Sequence, residues 1–205
     1  MKNIFIALLV VVSTLAQAQK NNAKTEITNS LNQYSKMLEG GNVDSALNIM
    51  YPKFFDFFPR QAIADAMKAV FNDTMVGFSF GKFDDYKLSK VVKDNNVQYA
   101  LVSYKMQARL YYKKPLADNP TQEQETFNLA AEVLKQQYGE AAVTPDFATR
   151  SFGLTIESSM FAINDPKYGN KWWFIEKKDD MKEYVIDKII PAKVWAKFSK
   201  GKKKK

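Results

Sequence analysis

Cysteine and histidine are both absent from the 205 residues, and the two absences remove more chemistry than any motif adds. Without cysteine there is no disulfide, so stability must come from packing alone, and there is no thiol nucleophile. Zinc sites built on Cys or His and any Ser-His-Asp triad are excluded as well. A catalyst made from this chain would have to move protons with Asp, Glu, Lys or Tyr, groups that titrate far from neutrality unless strongly perturbed. Arginine is scarce, with only Arg60, Arg109 and Arg150, which weakens any case for phosphate recognition by bidentate forks. No glycine-rich phosphate loop is present. No cofactor and no metal site is expected.

The net charge of +8 suggests nucleic acid only until it is located. Lys2 and seven lysines among the last thirteen residues (Lys193, Lys197, Lys200 and Lys202 to Lys205) account for the excess. Residues 19 to 192 carry 22 basic and 22 acidic side chains, so the body is balanced and no nucleic-acid partner is expected. Residues 201 to 205 read as a solvated lysine tail; the functional alternative is a salt-sensitive contact with anionic lipid or polymer.

Long apolar runs are missing except at the start. Lys2 precedes an apolar run from Ile4 to Val12, and small residues end at Ala16-Gln17-Ala18. Basic start, apolar core and small cleavage site are the order of a secretory signal, and the run is well short of the ~20 residues of a spanning helix. The expectation is a signal peptide over residues 1–18, cleaved after Ala18, and an exported protein of the periplasm or extracellular space without a transmembrane segment in its mature chain. With no cysteine near the cleavage site, acylation as a lipoprotein is excluded. Residues 19–200 are expected to form one domain.

What is abundant is apolar and aromatic: aromatic residues make up 14% of the chain, and fifteen of them are Phe. Apolar residues at 27, 31, 34 and 38 fall on one helix face. Gly40-Gly41 stops that helix, and Asn42 caps a second one through Ala46, Leu47 and Met50. Tyr51-Pro52 opens the segment Phe54-Phe55-Asp56-Phe57-Phe58-Pro59, and a third helix follows with Ile63, Ala66, Met67, Val70 and Phe71 on one side. After Asn72-Asp73 the period changes to two: Val76, Phe78 and Phe80 alternate, and a second extended stretch through Tyr86 and Leu88 leads to a turn at Asp94-Asn95-Asn96. From Val97 to Tyr112, Ala100, Val102, Tyr104, Met106, Ala108 and Leu110 share one face, while Ser103, Lys105, Gln107 and Arg109 share the other. That alternation predicts a sheet covered on one side. A helix from Thr121 to Tyr138, a strand from Ser151 to Ile163 and a strand at Trp172 to Ile175 follow. Asp179-Asp180 can cap a last helix, which Pro191 restarts. Helices first, then an antiparallel meander with an inserted helix and a C-terminal helix, predicts an α+β fold with the N-terminal helices packed on a curved sheet.

Three stretches carry a resemblance: Gly40-Gly41-Asn42-Val43-Asp44-Ser45-Ala46-Leu47, Pro59-Arg60-Gln61-Ala62-Ile63 and Asn170-Lys171-Trp172-Trp173-Phe174-Ile175. With this layout they resemble the nuclear-transport-factor-2-like superfamily, the α+β cone shared with ketosteroid isomerases and polyketide cyclases, over about Thr25 to Lys178. The resemblance implies a cavity between helices and sheet. Many enzymes of that superfamily depend on a histidine or a well-placed Asp, and here no histidine exists to carry over.

In that frame the aromatic segment lies near the cavity mouth. Tyr51, Asp56 and Arg60 would orient a ligand against Tyr104, Met106, Ser158 and Trp172; the alternative is that the aromatics only fill the core. Trp172 and Trp173 alternate along a strand, so one is expected in the core and the other exposed, as a partner anchor or a homodimer contact. Ser79-Phe80-Gly81-Lys82 matches Ser-x-x-Lys but lies in a strand-like stretch without its partner motifs, and reads as chance. Asp84-Asp85 and Asp179-Asp180 lack calcium-loop spacing and read as turn or cap residues. The leading expectation is a non-catalytic exported domain binding an apolar small molecule or a protein partner in the bacterial envelope. Two alternatives are an isomerase- or cyclase-like enzyme with Asp56 as general base and Tyr104 as donor to an oxyanion, and a structural or adhesive envelope protein with a basic tail.

Overall fold

The long alternating segment becomes the axis of the molecule. The computed structural model describes residues 22–178 and 187–199; the segment expected to be a signal peptide, the Asp179-Asp180 pair and residues 201–205 lie outside the described residues. Strand β3 (Val97–Tyr112) pairs antiparallel with β1 (Val76–Leu88) on one side and β5 (Ser151–Asn164) on the other. Strands β2 (Val92–Asp94), β4 (Val143–Asp146) and β6 (Trp172–Glu176) complete a six-stranded curved antiparallel sheet, so the fold is α+β. Asn95 and Asn96, with φ of 46° and 66°, make the tight turn between β2 and β3 that two left-handed residues permit.

Helix α1 (22–39) buries Ile27, Leu31, Ser35 and Leu38 against the sheet. Each apolar member of that stripe contributes roughly 1.5–3 kcal/mol by leaving water. The helix ends as Gly40-Gly41 predicts: Gly41 takes φ 64°, its N–H reaches Leu38 O at 3.0 Å, and Asn42 N–H reaches Met37 O at 2.8 Å, a Schellman closure. Asn42 then caps α2 (Val43–Leu47) by accepting from Ser45 N–H at 3.2 Å. This helix is shorter than expected, because Met50 leaves it to form a parallel bridge with Phe174 on β6. Tyr51 N–H to Phe174 O and Phe174 N–H to Ile49 O, both 2.9 Å, hold the chain there. A 3-10 turn (Pro52–Asp56) and α3 (Arg60–Asn72) follow. Ala64 is the buried residue of α3 and Val70 is exposed, so its inner face runs through Ile63, Ala64 and Met67, displaced from the expected one.

Strand β1 is continuous where two stretches were expected, and it is bulged twice. Phe80 faces Ala108 but Phe83 faces Met106; Asp84 faces Lys105 but Lys87 faces Ser103. Each step spends one extra residue, which bends the strand and shifts its side chains from one face to the other. Asp85, in the second bulge, has φ 48° and forms ion pairs with Lys87 and Lys105; Asp84-Asp85 therefore belongs to a bulged strand, where a turn or cap was expected.

Helix α4 (Pro120–Tyr138) is capped by Asn119, whose side chain accepts from Gln122 N–H at 2.8 Å. It packs Phe127 and Ala131 on Ala108, Phe152 and Leu154. The opposite face of the sheet is wet along Lys105, Gln107 and Arg109, but near β6 it is covered by α5 (Asp187–Ile189) and α6 (Ala192–Ser199), which bury Ile189, Ile190 and Val194 against Phe161, Ile163 and Trp173. Both tryptophans are therefore buried, Trp172 at 4% exposure and Trp173 at 9%. The expected exposed indole does not exist, since each side of the sheet has a layer at this edge. No helix among the described residues is long and apolar enough to cross a membrane.

Candidate functional site

Between the helices and the concave face of the sheet lies a cavity of about 390 Å³, within the size range of small-molecule sites. Its helical wall comprises Tyr34 and Leu38 of α1, Ile49 and Met50 at the bridge, Phe54 and Phe58 of the aromatic segment, and Ile63 and Met67 of α3. The sheet supplies Phe80 and Phe83, Tyr104 and Met106, Met160, and Phe174, Ile175 and Glu176. All of these but Tyr34, Tyr104 and Glu176 are apolar. The bridge between Met50 and Phe174 draws the aromatic segment against the edge of β6, which closes this side of the cavity.

Bulging of β1 is what brings Phe83 into the wall. The ring stacks on Tyr104 with centroids 4.7 Å apart and planes 11° apart, and meets Tyr34 edge-on at 5.8 Å. On α1, the Ser35 hydroxyl accepts the Phe83 N–H at 3.1 Å and donates to Glu39 Oε1 at 3.0 Å. The bulge thus releases a backbone donor from the ladder, and the one polar residue of the buried α1 stripe receives it.

Polar groups gather around Glu176. Ser158 Oγ donates to Glu176 Oε1 at 3.2 Å, and Lys178 Nζ lies 3.2 Å from Oε2. The Tyr34 hydroxyl is pushed up to about 12 by burial, with the Glu176 charge adding to it. Burial also raises Tyr104, and the Glu176 charge reinforces this, while a hydrogen bond from Ser158 opposes it. Both phenols remain protonated at neutral pH and are hydrogen-bond donors. An apolar chamber with two phenols and one carboxylate can hold and orient an apolar molecule. Neither phenol is tuned toward neutrality, since burial moves both away from it.

The seven residues expected at the site divide. Tyr104 and Met106 line the cavity. Ser158 is the cross-strand partner of Tyr104 and touches the cavity through its bond to Glu176. Tyr51 is buried on the other side of the sheet, donating to Asp165 Oδ2 at 2.6 Å. Trp172 faces α1, where its Nε1–H donates to Glu26 Oε2 at 3.1 Å. Arg60 turns back to Asp44 O at 2.8 Å and Asn48 Oδ1 at 2.9 Å, with its guanidinium over Phe55. Asp56 ends the 3-10 turn exposed to solvent and outside the cavity wall, so the buried pairing with Tyr104 that a general base needs is not formed. The 3-10 turn rotates Asp56 outward while Phe54 turns in.

Among the lining residues that sequence reasoning did not assign to the site are Phe83, Met160, Glu176 and Tyr34. Tyr34 was visible as the member of the α1 stripe with a polar tip. Phe83 was hidden by the bulge.

A second depression of about 680 Å³ lies on the opposite face, bounded by Lys105, Glu157, Trp195 and Phe198 among others. Its charges already serve one another: Lys105 is 3.7 Å from Asp85 and 3.4 Å from Glu157. Among the described residues no group of three or more acidic side chains is placed to hold a metal ion. Comparison with protein-family models, curated proteins and solved structures finds no match to this chain.

Proposed function

We propose that this chain is a non-catalytic, exported domain of the bacterial envelope that holds an apolar small molecule between its helices and the concave face of its sheet. The observation that carries the proposal is the cavity: about 390 Å³, walled by aromatic rings and methionines, with its few polar groups collected around Glu176. Methionines adapt their shape to an occupant, and aromatic rings offer large apolar contact. Binding without catalysis is supported by the exposed position of Asp56 and by a Glu176 carboxylate already engaged by Ser158 and Lys178. The likeness to the nuclear-transport-factor-2-like superfamily remains part of the proposal, supported by helices set against a curved antiparallel sheet.

The test is native mass spectrometry of the protein purified from its own envelope fraction, with a fluorescent apolar probe titrated into the delipidated protein. A reproducible small-molecule adduct, and probe binding abolished when Met160→Trp fills the chamber, are the expected results. A protein without adduct that also ignores the probe would sink the proposal.

A further inference from the structure

The chamber's polar groups are unequal in sign, and that inequality bears on what it admits. The Tyr104 hydroxyl is hydrogen-bonded with Ser158, whereas among the described residues the Tyr34 hydroxyl, which lines the same wall, has no such side-chain partner. Among the described residues, Glu176 is the only charged one in the lining, and none of the basic side chains is part of the wall. Lys178 balances Glu176 from outside the wall, and both side chains reach water at its rim, 50% and 44% exposed.

We infer that the chamber selects an apolar molecule with one uncharged oxygen head group, such as an alcohol, and that Glu176 excludes the corresponding carboxylate. This rests on the reading of the cavity as a ligand site. An uncharged hydroxyl or carbonyl oxygen accepts from Tyr34 and supplies an acceptor that the described residues do not. A carboxylate in the same place would leave water, gain no cationic partner from the wall and sit beside a like charge. Specificity of this kind comes from a repulsive element as much as from an attractive one. Here Glu176 is the repulsive element and the Tyr34 phenol is the attractive one. Lys178 sets the size of the repulsion, because it offsets part of the Glu176 charge.

Two probes with the same chain, dodecanol and dodecanoate, separate the head-group effect from the apolar one. Displacement of a fluorescent apolar probe is measured at pH 8 with the wild-type protein and with Glu176→Gln and Lys178→Gln. The expected result is that dodecanol displaces the probe and dodecanoate is at least about tenfold weaker, a difference of about 1.4 kcal/mol. Glu176→Gln should close most of that gap by strengthening the acid, and Lys178→Gln should widen it. Equal or tighter binding of dodecanoate to the wild type overturns the inference and leaves the ligand cavity standing, as does a gap that Glu176→Gln does not change. If the apolar probe itself fails to bind, the cavity reading falls and this inference falls with it.

Discussion

Ser35 and Phe83 are joined across the helix–sheet interface: the serine hydroxyl on α1 takes the backbone N–H that the first bulge of β1 leaves out of the ladder, at 3.1 Å. This single bond ties the curvature of the sheet to the register of the helix that roofs the cavity.

Ser35→Ala leaves that buried N–H without a partner, and Ser35 is 2% exposed, so water cannot replace it cheaply. The expected loss is about 1–3 kcal/mol of stability, read from the urea midpoint at unchanged slope. Ser35→Thr, which keeps the hydroxyl, should recover part of it. A neutral Ser35→Ala would show that the bulge does not need this anchor.

Phe83→Ala removes a ring that is 1% exposed and stacked on Tyr104. The cost expected for a buried phenylalanine is about 3–5 kcal/mol. The enlarged chamber should then accept a bulkier apolar probe, measured as a change in probe selectivity between Phe83→Ala and the wild type. Phe83→Leu, retaining most of the volume, serves where the alanine variant is too unstable to purify.

Tyr51→Phe removes the donor to Asp165, which is 9% exposed and otherwise accepts from the Lys167 N–H at 3.0 Å. A mostly buried carboxylate then loses its closest donor, and a loss of about 1–3 kcal/mol is expected by chemical denaturation. Ligand binding should be unaffected, because this pair lies on the far side of the sheet from the cavity. Weakened probe binding in a folded Tyr51→Phe variant would contradict that placement.

Alkaline pH should unfold the protein through its buried phenols. Tyr34, Tyr86 and Tyr99 are raised from the ordinary 10.0 to about 12, each chiefly by burial. Folded values above the unfolded one mean that the unfolded chain gives up these protons first. Their contribution is complete below about pH 10 and is lost as pH rises toward about 12. Tyrosinate absorbance followed with far-ultraviolet circular dichroism should show a fraction of the tyrosines ionising only as the helical signal disappears. Tyrosines that all titrate near 10 in a folded protein would refute this.

The sequence made the architecture legible wherever one period ran undisturbed. The alternation from Ala100 to Leu110 placed one face of β3 inward, and the 27, 31, 38 stripe oriented α1. What stayed hidden was set by partners distant in the chain. Phe83 could not be placed by alternation, because the bulge that moves it inward is visible only against Met106 and Ala108. Trp173 could not be known to be buried until α5 and α6 returned over the outer face. Strand β4 is four residues long and contains Pro145, a residue that argues against a strand unless the position is at an edge. Of the cavity, Tyr104 and Met106 were readable from β3 itself. Glu176 required knowing that β6 lies beside β5 with Glu176 opposite Met160.

The two bulges of β1 act on the strand as paired insertions act on a reading frame. Phe80 and Leu88 both face the concave side, opposite Ala108 and Val102, because the second extra residue restores the phase that the first one changed. Loss of the extra residue from either bulge would make the pairing regular at that point and leave everything beyond it opposite the same partners, Leu88 still facing Val102. What would go is the local bend, and at the first bulge the Phe83 N–H that Ser35 receives. An insertion or deletion in a regular part of the strand has the opposite effect, since with no bulge to absorb it every side chain beyond it changes face.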